Sequence, residues 1–150
     1  MSRLDAARVA AWRDLQSIAA ELERVIDEDV MTEWDVPLGW FDVLAALQRL
    51  GGAARPSDLA AELRLVRSSL SRRLDRLEEE GWVARQRRGD LDDHRAVVVQ
   101  LTKRGRALWR EMNVTYRRAV QAHVSSRLSN ADVAALHRVL DALSSDTATD

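Results

Sequence analysis

A chain of 150 residues, 46% hydrophobic and 31% charged, has the size and make-up of one domain that buries its own core without staples. It has no cysteine, which excludes a thiol switch and a cysteine-ligated metal, and no apolar run reaches the length of a membrane span. The formal net charge of -1 is unevenly spread: residues 64–106 carry 12 basic and 7 acidic groups, whereas residues 1–50 carry 5 and 10.

The N-terminus, MSRLDAARVAAWRDL, lacks the uninterrupted apolar core of a secretory signal, so the expected location is the cytoplasm. From Leu4 to Val30, apolar residues recur at helical spacing (Trp12, Leu15, Ile18, Leu22, Val25 and Val30), which predicts one long amphipathic helix. In DVPLGWFDVLAALQRLGG, Pro37 opens and Gly51-Gly52 closes a second helix that is expected to bury Phe41, Leu44, Leu47 and Leu50. RPSDLAAELRL puts Pro56 near the first helical position and Asp58 in the first turn, predicting a short helix that ends near Leu65.

VRSSLSRRLDRLEEEGW then sets Leu70, Leu74 and Leu77 on a core side and Ser68, Ser71, Arg72 and Arg76 on the opposite side, with Gly81 ending the helix. WVARQRR and AVVVQLT read as a two-stranded hairpin whose Val97, Val99 and Leu101 share one face. A second long helix follows in KRGRALWREMNVTYRRAVQAHVSSRL. In SNADVAALHRVLDALSS, Ser129 and Asp132 have capping-box spacing, and Val133, Leu136, Leu140 and Leu143 form an apolar stripe. The last residues, DTATD, carry no sign of an element.

The fold class is therefore mainly α: a winged helix-turn-helix with a two-stranded β-wing and long N- and C-terminal helices. The chain reads as one subunit, residues 1–150, with long flanking helices at 1–35 and 103–146 and a DNA-binding lobe at 36–102 that includes the wing at 82–102. In this motif the second helix enters the major groove, where serine meets base edges or phosphates and arginine binds guanine. The candidate DNA contacts on that helix are Arg67, Ser68, Ser69, Ser71, Arg72 and Arg76, with Glu78, Glu79 and Glu80 kept to its far end. A winged helix used only to dock a protein, or a non-specific DNA-binding role, is the alternative.

The turn RGDLDDHRA lacks the spacing and distal glutamate of a calcium loop, and its acids are good loop formers. Arg95 is the residue a plain turn leaves unexplained: a wing-tip arginine suits the negative potential of a narrow minor groove. Asp93, two residues away, is a candidate wing-positioning group for it, while Arg88 and His94 are candidate phosphate contacts.

The string Asp93-x-Arg95-x-x-x-Val99-x-Leu101-Thr102-x-x-Gly105, preceded by SSLSRRLDRLEEEGWVAR, resembles the wing and recognition helix of the MarR family of bacterial transcription regulators, and PLGWFDVLAAL resembles that family's second helix. Arg73 departs from the family, which more often has an aliphatic residue there; its side chain is expected to snorkel outward and add to the basic surface. The resemblance assigns dimerisation to the helices at 1–35 and 103–146 and implies a homodimer in which the first and last two helices of each subunit intertwine, a repressor role, and a pseudo-palindromic operator. The apolar stripes of helices 4–30 and 131–144 agree, since no other domain in the sequence covers them; packing within one chain is the alternative.

The resemblance also implies a small aromatic or anionic effector held between the dimer helices and the DNA-binding lobe. Trp12, Arg13, Trp40, Phe41 and Asp42 are the candidate effector contacts, against a plain reading of the aromatics as core. Trp82 is expected in the core and Trp109 at the dimer seam. His94, His123 and His137 are scattered, so no metal site is assigned, no cofactor is called for, and no catalytic motif points to an enzyme.

Overall fold

The structure, a computed structural model, describes residues 5–87 and 97–145. Helix α1 runs Ala6–Trp34 and α2 Leu38–Arg49; a short strand β1, Ala53–Ala54, precedes α3, Pro56–Leu63, and α4, Arg67–Glu79. Strands β2, Val83–Arg87, and β3, Val97–Leu101, lead into α5, Lys103–His123, and after a 3-10 turn α6 spans Asn130–Ser144. The chain divides into a helical unit, Met1–Ile26 with Arg117–Asp150, and a winged unit, Asp27–Tyr116.

The winged unit has one core, built where the apolar faces of α2, α3 and α4 meet the sheet. Leu44, Leu47, Leu59, Leu70, Leu74, Leu77, Val83 and Val99 lie in it, nearly or fully sealed from solvent. The α2 periodicity holds for Phe41, Leu44 and Leu47 but not for Leu50, which is exposed. Leu50 is the residue that follows α2, where the chain turns through Gly51 and Gly52; Gly52, at φ +95, donates its N–H to the Leu47 carbonyl at 2.8 Å. That closure rotates Leu50 off the helical stripe.

The wing is part of a three-stranded antiparallel sheet of order β1-β3-β2, not an isolated pair. Ala53 and Ala54 pair with Gln100 and Val99, while β2 pairs with β3 in the register Val83↔Leu101, Arg85↔Val99 and Arg87↔Val97. Two alanines carry no strand periodicity, so β1 is set by its neighbour and not by its own propensity. Gly81, at φ +79, closes α4 as expected, with the Trp82 N–H reaching the Leu77 carbonyl at 3.0 Å.

Two polar contacts fix the ends of the unit. Asp27 on α1 accepts from the Leu38 N–H at 2.8 Å and so caps α2, for which Pro37 has no capping side chain. Trp34 Nε1 donates to the buried Thr115 hydroxyl at 2.8 Å, tying the end of α1 to α5. Trp109, half-buried, packs against the winged core with its Nε1 buried and without a protein partner among the described residues. In the helical unit, Ser129 and Asp132 form the expected capping box. The Ser129 N–H and hydroxyl hold the Asp132 carboxyl below its ordinary range.

Gly105, in the first turn of α5, meets the backbone of Trp82 so closely that a Cβ there would lie 1.9 Å from the Trp82 carbonyl oxygen. Neither backbone can yield cheaply. Gly105→Ala should therefore cost about 3 kcal/mol or more, measured by urea unfolding; no loss, or the small gain that a helical Gly→Ala change ordinarily brings, would contradict this packing.

Candidate nucleic-acid interface

The helix-turn-helix is made by α3 and α4. Arg64, at φ 53, adopts the left-handed conformation that ends α3, and the Leu65 N–H closes back on the Ala60 carbonyl at 3.0 Å. Val66 then opens α4 from an extended conformation, without a side-chain cap and with no acid in the first turn. Leu70, Leu74 and Leu77 are buried at 1%, 2% and 0% exposure. The helical step consequently turns Ser68, Ser71, Arg72 and Arg76 to solvent with Arg67 beside them, while Ser69 is half-buried.

These arginines are loosely held. Arg72 Nε reaches the Ser68 carbonyl at 3.4 Å, and Arg76 makes an exposed pair with Glu79 at 3.7 Å, a contact worth little in water. Arg55 and Ser57, from the start of α3, join Arg67, Ser68, Ser71 and Arg85 around an open cavity of about 830 Å³. The sequence reading missed Arg55, Ser57 and Arg85; the available signal for Arg55 was its place directly before a helix-opening proline.

Arg85 on β2 faces the acidic end of α4. Its backbone N–H donates to Glu78 Oε2 at 3.1 Å, its Nε to the same oxygen at 3.3 Å, and its Nη2 to Asp75 Oδ1. The Asp75 carboxylate, with Glu78 second to it, raises the Arg85 pKa above its ordinary value against partial burial. Glu78 is therefore more than a charge kept clear of the basic end: it joins the recognition helix to the wing.

Arg73 is also placed differently from the sequence expectation. It does not snorkel outward to join the basic surface; it is half-buried, and its Nη1 donates to the Gly39 carbonyl at 3.0 Å, where a Cβ on residue 39 would touch the guanidinium. A carbonyl oxygen has a second lone pair to offer beyond its helical bond, and guanidinium, being weakly hydrated, is readily held at such a half-buried acceptor.

The remaining candidates fall in both units. Trp12, exposed, and Arg13 belong to the helical unit; Trp40, Phe41 and Asp42 belong to the winged unit. Trp40 stacks edge-on against Trp82 with centroids 6.2 Å apart, and buried Phe41 lies 4.9 Å from the Tyr116 ring, contacts that account for both as core. Arg88, Asp93, His94 and Arg95 lie outside the described residues. Among the described residues no group of three His, Asp or Glu side chains is arranged to hold a metal, and no helix is long and apolar enough to cross a membrane.

If Arg85 joins β2 to α4, Arg85→Met should lower stability by about 1–2 kcal/mol in urea unfolding by leaving two carboxylates without their partner. Adding Asp75→Asn and Glu78→Gln should return part of that loss. Strict additivity of the three changes would show that the groups do not interact.

A family model described as MarR family matches residues 34–96. The HTH-type transcriptional regulator PecS of Dickeya dadantii (strain 3937) is 35% identical over 115 residues, which cover 75% of this chain but only 63% of that protein, less than two thirds of its length. Among solved structures, AbsC, a MarR family transcriptional regulator from Streptomyces coelicolor, superposes with a TM-score of 0.84 at 22% identity over 100% of both chains, a likeness of fold. A mutant MarR from E. coli, complexed with operator DNA, matches with a TM-score of 0.79 at 26% identity over 95% of this chain and 99% of that one. The family model falls on the same helix-turn-helix that the leucine-backed serine and arginine face singles out, and in these matches the chain is similar to MarR family transcriptional regulators.

Proposed function

We propose that this protein is a sequence-specific DNA-binding transcription regulator of the cytoplasm, acting as a homodimeric repressor on a pseudo-palindromic operator. The observation that carries the reading is the exposed face of α4, where Ser68, Ser71, Arg72 and Arg76 stand opposite three buried leucines. Its first turn has no side-chain cap, which leaves the helix end beside Arg67 suited to a phosphate. That the similar E. coli MarR is complexed with operator DNA supports the same partner here.

In this reading Arg72 and Arg76 touch bases, Arg67, Ser68, Ser69, Ser71, Arg88 and His94 serve phosphates or base edges, and Arg95 enters the minor groove under the guidance of Asp93. Dimerisation is supported by α6, whose Val133, Leu136, Val139, Leu140 and Leu143 are all exposed in the single chain. A two-fold axis would set two α4 helices roughly 34 Å apart, one turn of duplex. A small aromatic or anionic effector releases the operator by binding better to the arrangement in which the two α4 helices are misplaced, with Trp12, Arg13, Trp40, Phe41 and Asp42 as its candidate contacts.

Selection of bound duplexes from a random pool should enrich an inverted repeat with half-sites about one turn apart. Enrichment of no sequence, with only general salt-sensitive binding, would rule out the regulator and favour a non-specific role. On the selected duplex, Arg72→Ala or Arg76→Ala should reduce discrimination by about 1–3 kcal/mol per contacted base, whereas Arg88→Ala should weaken all duplexes alike. Asp93→Ala should weaken binding although it removes a negative charge; tighter binding by that variant would remove Asp93 from its positioning role.

A further inference from the structure

The sheet has two faces, and only one looks toward α4. Arg85 bonds to α4, and Val83, Val99 and Leu101, in register with it, enter the core. Ala84, Gln86 and Gln100 therefore alternate to the other face. There they meet the first two turns of α5 around an open concavity of about 750 Å³, lined also by Thr102, Lys103, Arg106 and Arg110.

Lys103, Arg106 and Arg110 are exposed and spaced i, i+3 and i+7, so they form one row on α5; none makes an ion pair or a side-chain hydrogen bond among the described residues. Folding stability argues against such a row. Neighbouring like charges at these spacings repel, and they sit at the end of α5 where the helix dipole disfavours cations, with no acid in the first turn. Arg104 is directed to Gly81, off the row, whereas the Arg106 guanidinium, still exposed, lies beside Gly52 at the row's edge. The helix end itself is closed, since Thr102 Oγ1 accepts from the Gly105 N–H at 3.0 Å, so any ligand is held by side chains.

The row is about 10 Å long at 1.5 Å per residue. That is too extended for one small anion but matches successive phosphates of a strand. The concavity adds two neutral donors, Gln86 and Gln100. It lies on the face of the sheet opposite α4, so a duplex seated on α4 reaches it only by extending past the sheet and bending toward α5.

We propose that this face binds the phosphate backbone of duplex flanking the operator, through Lys103, Arg106 and Arg110 with Gln86 and Gln100. The proposal rests on the regulator reading above. Its test uses the full chain and the duplex selected by the wild type, once as a minimal operator and once extended by about one helical turn (roughly 10 base pairs) on each side.

The wild type should bind the extended duplex on the order of tenfold more tightly at low salt, with a steeper salt dependence. The variant Lys103→Gln/Arg106→Gln/Arg110→Gln should lose that gain, and its slope of log affinity against log salt on the extended duplex should fall by up to about five, three cations being lost from each of two subunits. It should keep wild-type affinity for the minimal operator and melt no lower than the wild type. Equal affinity of the wild type for both duplexes, or an equal loss by the variant on both, would overturn the flanking contact while leaving the regulator reading intact. Absence of selective binding to any duplex would overturn the regulator reading and this proposal with it. An acidic protein as the occupant would show as the first of these failures.

Discussion

Leu70, Leu74 and Leu77 enter the same core as Leu44, Leu47, Leu59, Val83 and Val99, and this shared burial sets the rotation of α4 about its axis. Each buried leucine contributes roughly 1.5–3 kcal/mol, so the three together outweigh any polar preference on the other side of the helix. With the helical step fixed at 3.6 residues, the outward direction of Ser68, Ser71, Arg72 and Arg76 follows without further contacts. The serine and arginine face needs no stabilisation of its own; it is held from behind.

The same helix divides its charge along its length, and each part meets a different constraint. At the acidic end, Asp75 and Glu78 hold Arg85 of β2, and the register Arg85↔Val99 passes that anchorage to β3. Midway, Arg73 reaches the Gly39 carbonyl and ties α4 to the start of α2, whose own first turn is capped by Asp27. The winged unit thus links α1, α2, α4 and the sheet by a few polar contacts around an apolar centre. Such contacts contribute about 1 kcal/mol each but, unlike apolar burial, accept only one geometry.

Much of this was legible in the sequence where a pattern repeats. The leucine spacing of α4, the closing glycine at 81 and the alternation of Val97, Val99 and Leu101 each report a periodic burial that one chain segment declares by itself. What escaped is non-local. Nothing in Ala53-Ala54 announces a strand, because its hydrogen bonds come from β3. Arg73 and Arg85 look like more of the basic surface until Gly39, Asp75 and Glu78 are brought to them. The candidate site was readable on α4 for the same reason the fold was. The effector candidates, divided between two units, have no such periodicity to order them.

The start of α4 shows where stability and recognition oppose each other. Val66, 68% exposed, occupies a position where serine, threonine or aspartate would cap the helix and add about 1 kcal/mol to the free chain. A capping oxygen would also occupy the backbone donors of the first turn and, as aspartate, place a negative charge beside Arg67. A valine leaves the first two of those donors, the Arg67 and Ser68 N–H groups, without a side-chain cap to compete with an incoming anion, while the Ser69 N–H closes on the Val66 carbonyl. The free helix is correspondingly less secure at this end, and an anion bound there would supply the missing cap, so part of the helix's stability is deferred until its partner arrives.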